Sequence, residues 1–247
     1  MLGQKGIYSN LDNLVKIYGD MVYIHKDAQI EAFVVIDAQN GPVYIDRDVI
    51  IYSHTRIEGP AYIGPLCRIV GAKIREGTSI NEGCRIGGEV EESIFHKYVN
   101  KYHSGFLGHS YIGEWVNLGA LTTNSDLKNN YSNVKVPLNG ILMDTGEIKV
   151  GCCIGDHSKT GIGTLINTGS IIGVSVNLFG GGLPPKYIPS FLWGGSSGFD
   201  VYILKKAIDT ARRVMARRNV KMSNAYLKLY QKIYEITESE RQTYLKK

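Results

Sequence analysis

Aliphatic residues recur every six positions through most of the chain. The beat runs Ile24, Ile30, Ile36, then Ile45, Ile51, Ile57, Ile63, then Ile74, Ile80, Ile86, then Ile112 and Leu118. It returns at Ile148, Ile154, Thr160, Ile166, Ile172 and Leu178. A small residue often follows, as in Ile63-Gly64, Ile86-Gly87, Leu118-Gly119, Ile154-Gly155 and Ile172-Gly173. A period of six fits neither a helix nor a plain alternating strand, but it fits a short strand followed by a tight corner. Three such units close one triangular coil of about 18 residues, in which aliphatic side chains stack along the axis and glycine serves corners that need positive φ. The fold class that follows is all-β: a single-stranded parallel β-helix spanning 24–188, preceded by an N-terminal cap at 1–23.

The breaks in the beat are as informative as the beat. Asn40-Gly41-Pro42 expands one corner, and 89–105 exchanges glycines for Phe95, His96, Lys97, Tyr98, Lys101, Tyr102 and His103. A polar excursion at 121–147 is too long for a corner and is expected to project from the β-helix; segments of this kind on rigid scaffolds are disproportionately functional. Gly180-Gly181-Gly182-Leu183-Pro184-Pro185 closes the repeat, and Trp193-Gly194-Gly195 is expected to open a linker. Ser197 with Asp200 has the spacing of a helix-start cap, and Leu204, Ile208, Ala211 and Met215 then follow helical spacing, as do Tyr226, Tyr230 and Ile233 after Ser223. The prediction is two amphipathic C-terminal helices over 199–247.

The net charge of +5 is unevenly placed. From Phe199 onward there are 12 Lys and Arg against 5 Asp and Glu, so the tail carries +7 and the repeat region −2. The basic residues alternate with acidic and apolar neighbours and offer no base-stacking platform, so nucleic acid is not an expected partner. Neither a membrane-length apolar run nor a signal pattern is present, which points to the cytoplasm. Cys67, Cys84, Cys152 and Cys153 form no CxxC pair and are expected to be reduced thiols.

The block Lys101-Tyr102-His103-Ser104-Gly105-Phe106-Leu107-Gly108, continued by Ile112-Gly113-Glu114-Trp115-Val116-Asn117-Leu118-Gly119-Ala120, resembles hexapeptide-repeat acyltransferases. It is most similar to the β-helix half of the bifunctional enzymes that acetylate glucosamine-1-phosphate and then make its uridyl derivative. Thr122-Thr123, Leu127-Lys128-Asn129 and Asp156-His157-Ser158-Lys159-Thr160-Gly161 carry the likeness onward, over roughly 45–193. The resemblance implies a left-handed winding, against the usual crossover hand, a homotrimer, acetyl-CoA as co-substrate and a sugar phosphate as acceptor.

In the family, a histidine at the place of His103 is the general base that takes the proton of the sugar amine; imidazole suits this because it titrates near neutral pH. The resemblance puts Asn117, Phe106 and Asp126 at the sugar substrate, with Lys101 and Lys128 as further substrate-binding candidates. It puts Ala120, His157 and Lys159 at the acyl-CoA, with a backbone donor near Ala120 stabilising the developing oxyanion. Three positions depart from the pattern: Phe106 replaces a tyrosine, Asp126 an asparagine, and Glu91 falls where a lysine would hold the phosphate, leaving Lys97, Lys101 or Lys128 to supply that charge. A three-histidine metal site from His103, His109 and His157 is not expected, because a six-residue spacing puts the first two on successive faces. Nothing before Ile24 resembles a Gly-rich phosphate loop, so nucleotidyl transfer is not expected of this chain. The residues leave two functions open: an acetyl-CoA-dependent acyltransferase, or a non-catalytic trimerising or sugar-nucleotide-binding β-helix.

Overall fold

A computed structural model describes residues 11–138 and 140–246. The chain winds as a parallel β-helix whose coils stack through registered ladders, and three helices follow it. On one face nine strands stand in order, from Val22–Ile24 through Val43–Ile45, Ala61–Ile63, Thr78–Ile80, Ile94–Phe95, Tyr111–Ile112, Cys152–Ile154 and Ser170–Ile172 to Tyr187–Ile188. Each rung places one residue inward in register with the next, so Ile24, Ile45, Ile63, Ile80, Phe95, Ile112, Ile154, Ile172 and Ile188 form one buried column. A second face stacks Ile17, Ile36, Ile57, Ile74, Val90 and Leu107. Burying each such side chain stabilises the fold by roughly 1.5–3 kcal/mol relative to exposure, and the rungs repeat at about 4.8 Å.

Ile148 is the exception to the beat: it lies outside the columns and is 48% exposed. The strand Thr123–Asn124 still belongs to the β-helix, paired with Leu165–Ile166, so the chain departs after Asn124 rather than at 121. The excursion contains an antiparallel hairpin of Lys135–Leu138 with Ile141–Asp144, and it rejoins so that Ile112 stacks on Ile154.

Positive φ marks the corners, but glycine does not monopolise them. One corner column reads Asp48, Leu66, Gly83, Tyr98, Trp115, His157, Ser175 and Phe191, all left-handed. The backbone bonds at each turn make that conformation obligatory, and large side chains then project from the corner and stack on one another.

Beyond Leu178 the structure departs from expectation. Leu192–Gly195 is a strand that continues the ladder on Asn177–Leu178 and pairs antiparallel with Gly198–Val201. Trp193 therefore sits in a ladder rather than a linker, and Ser197 and Asp200 belong to that hairpin rather than to a helix cap. Helix α1 (Leu204–Ala216) starts after Ile203 without a side-chain cap. Helix α2 (Asn224–Ile236) is capped by Ser223, whose Oγ accepts from the Tyr226 N–H at 3.1 Å. A third helix, α3 (Glu238–Leu245), joins the two expected from spacing. At the other end Lys16–Tyr18 pairs with Val35–Asp37, so the coils begin before Ile24; the rest of the expected cap, 1–10, lies outside the described residues. Among the described residues no helix is long and apolar enough to cross a membrane.

Candidate functional site

The coils from Asn100 to Asn124 differ from the rest in what lies inside them. On the third face Ile51, Ile69 and Ile86 stack inward, and the next rung is Lys101. Its side chain is 2% exposed, and its ammonium donates to the carbonyls of Gly87 at 2.7 Å and Gly105 at 2.6 Å. Burial pushes its pKa down to about 8. Expected at the substrate, Lys101 instead ties the inner side of the corner formed by Tyr102, His103 and Ser104. Thr122 and Thr160 share a hydrogen bond of 2.7 Å in the same interior. Asn124 exchanges two 2.9 Å hydrogen bonds with the Gly108 backbone. Satisfied polar groups of this kind fix a local backbone that a greasy column would leave free to slide.

His103 stands on the outside of that corner, exposed, with its ring edge-on to Tyr102 at 5.7 Å. One coil on, Asn117 pairs with Asn100 across the ladder, and Leu121 N–H donates to the Ser104 carbonyl at 2.8 Å. Ala120 thus occupies the corner one rung from His103. Its own carbonyl accepts from Gly163 at 2.8 Å.

Phe106 and Asp126 converge over Gly108: a β-carbon there would meet the Phe106 ring at 2.5 Å and the Asp126 carboxylate at 2.6 Å. Asp126 bonds His109 Nδ1 at 2.8 Å, and the opposite ring nitrogen of His109 faces Glu92 at 3.1 Å. Glu91 is held by Lys149 at 3.5 Å. The cation expected beside Glu91 therefore comes from the end of the excursion. Lys97 is paired with Glu82 at 3.0 Å, Lys101 faces inward, and Lys128 bonds Ser132 and Asn133 of its own loop.

His157 departs from expectation. His157 is 3% exposed, lies parallel to Trp115 at 6.1 Å and meets Tyr226 of α2 through Nε2 at 2.9 Å. Its Nδ1 is buried without a partner, and burial, then Lys159, lowers its pKa to about 3. The ring is a neutral docking surface for α2 rather than an exposed contact for a ligand.

Lys159, whose ammonium donates to the His157 carbonyl at 2.7 Å, lines a cleft of about 290 Å³ between the β-helix and the end of α1. The outward column Arg85, Asn100, Asn117, Lys159 forms one wall, in continuous register. Arg217 and Arg218 form the other. The resemblance places Asn117 and Lys159 near a site, but not Arg85, Arg217 or Arg218, because the two walls come from distant segments and no local pattern links them.

Among curated proteins, acetyltransferase YaiX of Escherichia coli strain K12 is 32% identical over 173 residues, covering 68% of this chain and 74% of its own. The chain belongs to this acetyltransferase family. A bifunctional sugar-1-phosphate nucleotidylyltransferase/acetyltransferase of Sulfurisphaera tokodaii is 36% identical over 172 residues, 70% of this chain. The chain spans only 38% of that relative's length and 26% of a GlmU bifunctional protein of Synechococcus elongatus, to which it is 30% identical. Among solved structures, a hexapeptide transferase family protein of Anaplasma phagocytophilum aligns over 88% of this chain and 96% of its own, at 18% identity and a TM-score of 0.39. No protein-family model matches. The family and the β-helix agree with the resemblance drawn from the His103 to Ala120 block.

Proposed function

We propose that this acetyltransferase-family chain transfers an acetyl group from acetyl-CoA to the amine of a sugar phosphate or related sugar, with His103 as general base. The observation that carries the proposal is the corner itself: an exposed imidazole one rung from Ala120, on a backbone that Lys101 braces from within. In the step proposed, the His103 imidazole takes a proton from the sugar amine as its nitrogen attacks the thioester carbonyl. The tetrahedral intermediate then expels the thiolate, which recovers that proton from the imidazolium. A backbone donor at the Ala120 corner stabilises the oxyanion in between.

Phe106, Asp126 and the Lys149–Glu91 pair border this corner as the acceptor-selecting surface. Lys149 answers the objection that Glu91 repels a phosphate, because its ammonium offsets the carboxylate where the family places a lysine. Assembly as a trimer is part of the proposal: the outward tyrosine ladder Tyr23, Tyr44, Tyr62, with neighbouring rings 6.4 and 5.7 Å apart, and Met21 beside it offer an apolar face to bury.

The test is thiol release from acetyl-CoA in the presence of a panel of amino sugars and their phosphates. His103→Ala is expected to abolish it while leaving circular dichroism and sedimentation unchanged. Full turnover in that variant removes His103 from the role. Absence of turnover and of acetyl-CoA stabilisation in the wild type favours a non-catalytic binding module instead.

A further inference from the structure

The hairpin of the excursion leaves apolar side chains in water on both of its faces. Ile141 and Leu142 are each 65% exposed, and Leu138 and Met143 are exposed beside them. Side chains alternate along a strand, so Ile141 and Met143 point to one side of the hairpin and Leu142 to the other. Every residue of Ile141–Asp144 is exposed, whereas the start of the first strand is seated on the β-helix: a β-carbon on Gly169 would meet the Lys135 carbonyl oxygen and the Val134 side chain at 2.8 Å. The hairpin is thus fixed at its root and bare at its tip. Contiguous exposed apolar surface marks contact with another protein or with a membrane.

Three observations favour the membrane. A protein partner that pairs with one edge or packs on one face leaves the opposite face wet, whereas a bilayer receives both faces of a tip at once. The charge at the root is mainly of one sign. Lys135 begins the hairpin, Lys186 donates to the Lys135 carbonyl at 3.3 Å, and Lys128 donates to the neighbouring Asn133 carbonyl. None of the three forms an ion pair among the described residues, and the hairpin itself carries one carboxylate, Asp144. On the β-helix, by contrast, Arg56, Arg75 and Lys97 are each paired with a carboxylate. Burial, then the charge of Lys128, lowers the proton affinity of Lys186, so an anion placed between them relieves the repulsion. Finally, a groove of about 300 Å³ beside the tip, lined by Pro137, Ile141, Leu142, Pro185, Tyr187 and Tyr244 and by no charged side chain, is open to a hydrocarbon chain.

We propose that the hairpin docks this chain on an anionic bilayer surface, with Leu138, Ile141, Leu142 and Met143 among the acyl chains and Lys128, Lys135 and Lys186 at the level of the lipid phosphates. The dimensions agree. Three residues of strand separate Lys135 from Leu138, about 10 Å at ~3.4 Å each, and interfacial elements sink their apolar faces ~5–10 Å below the headgroups. Such an anchor lies on the membrane without spanning it, and each lysine near an anionic surface adds to the attraction. The assignment stands on the hairpin and does not rest on His103 or on acyl transfer.

Co-sedimentation of the full chain with vesicles of phosphatidylglycerol and phosphatidylcholine tests it, with vesicles of phosphatidylcholine alone as a second arm. Binding to the mixed vesicles that falls at least ~10-fold on phosphatidylcholine alone, in Ile141→Ser/Leu142→Ser and in Lys135→Gln/Lys186→Gln supports the proposal. Circular dichroism of each variant confirms that the β-helix is intact, since none of these side chains belongs to a buried column. No binding by the wild type, equal binding by Ile141→Ser/Leu142→Ser, or equal binding to the two kinds of vesicle overturns it. A serine variant that lowers the sedimenting mass of the free chain, while vesicles capture neither protein, makes the tip a contact between copies and also overturns it. His103→Ala leaves vesicle binding unchanged, so failure here and failure of the acyl-transfer step are separable.

Discussion

Acid should loosen the helices from the β-helix through a single imidazole. His157 is buried between Trp115 and α2, and its pKa falls from the ordinary 6.5 to about 3. Its neutral form is the one that packs, so its contribution is fully present above pH 6.5 and is lost progressively as pH falls toward 3. Between pH 7.5 and pH 5 the unfolded chain takes up a proton on this residue that the folded chain refuses. A difference of one pH unit is worth 1.36 kcal/mol, so the loss by pH 5 is about 2 kcal/mol, or some 4–8 °C in melting temperature for a chain of this size. Asp156 and Glu114 nearby have raised pKa values through burial, which opposes the effect at the acid end. They are common to the wild type and to His157→Asn, so the difference between the two isolates the histidine. Asparagine suits the test because it tolerates the corner φ of 59° and does not titrate. Urea unfolding is followed by the fluorescence of Trp115 and Trp193 and by helical dichroism at pH 7.5, 6 and 5. The wild type should lose about 2 kcal/mol more than the variant across that range. Parallel pH slopes for the two proteins would refute the argument, whatever their absolute stabilities.

Other consequences follow from particular contacts. Lys101→Met should remove an alkaline gain in stability: as pH rises from 8 to 10.5 the folded wild type releases the Lys101 proton while the unfolded chain keeps it, worth up to ~3 kcal/mol. The same variant should reduce turnover by loosening the His103 corner, and urea melts at pH 7.5 and 10 alongside thiol release check both effects. Gly151→Ala should destabilise by about 3 kcal/mol, since the added β-carbon would lie 1.9 Å from the Gly108 carbonyl oxygen and 2.3 Å from Ser110 Oγ; thermal melting measures it. Ser223→Ala should cost about 1 kcal/mol through loss of the α2 cap, seen as a lower denaturant midpoint with unchanged strand signal.

The columns were legible because their period is set by geometry that every coil repeats: Ile24, Ile45 and Ile63 each fill the same slot one rung apart. Legibility failed where one residue had to be judged by its surroundings. Lys101 reads as a surface lysine, and only the carbonyls of Gly87 and Gly105 explain its place in the aliphatic column. Ile148 keeps the beat in sequence but falls in the excursion, where no rung receives it. Trp193 follows a Gly-Pro-rich stretch that looks terminal, yet the unsatisfied edge of Asn177–Leu178 recruits it as one more strand. Ser197 and Asp200 have cap spacing, but the pull of that same edge turns them into a hairpin. The juxtaposition of His103 and Ala120 one rung apart was legible because they lie in one motif. The Lys149–Glu91 pair and the Arg85 to Arg218 cleft join distant segments, which no local charge pattern links.

The contact of Ile112 with Ile154 has a consequence for how such a chain can change. Residues 113–124 complete their coil, but those from 125 to 151 leave the stack and return to it, and the ladder closes over them as though they had been excised. Exchanging the Lys135–Leu138 and Ile141–Asp144 hairpin for another of different length alters what lies over Gly169 and Tyr187 while the column from Ile112 to Ile154 stays closed. That surface is thus open to insertions and deletions at one junction, while the coils that carry His103 are inherited intact.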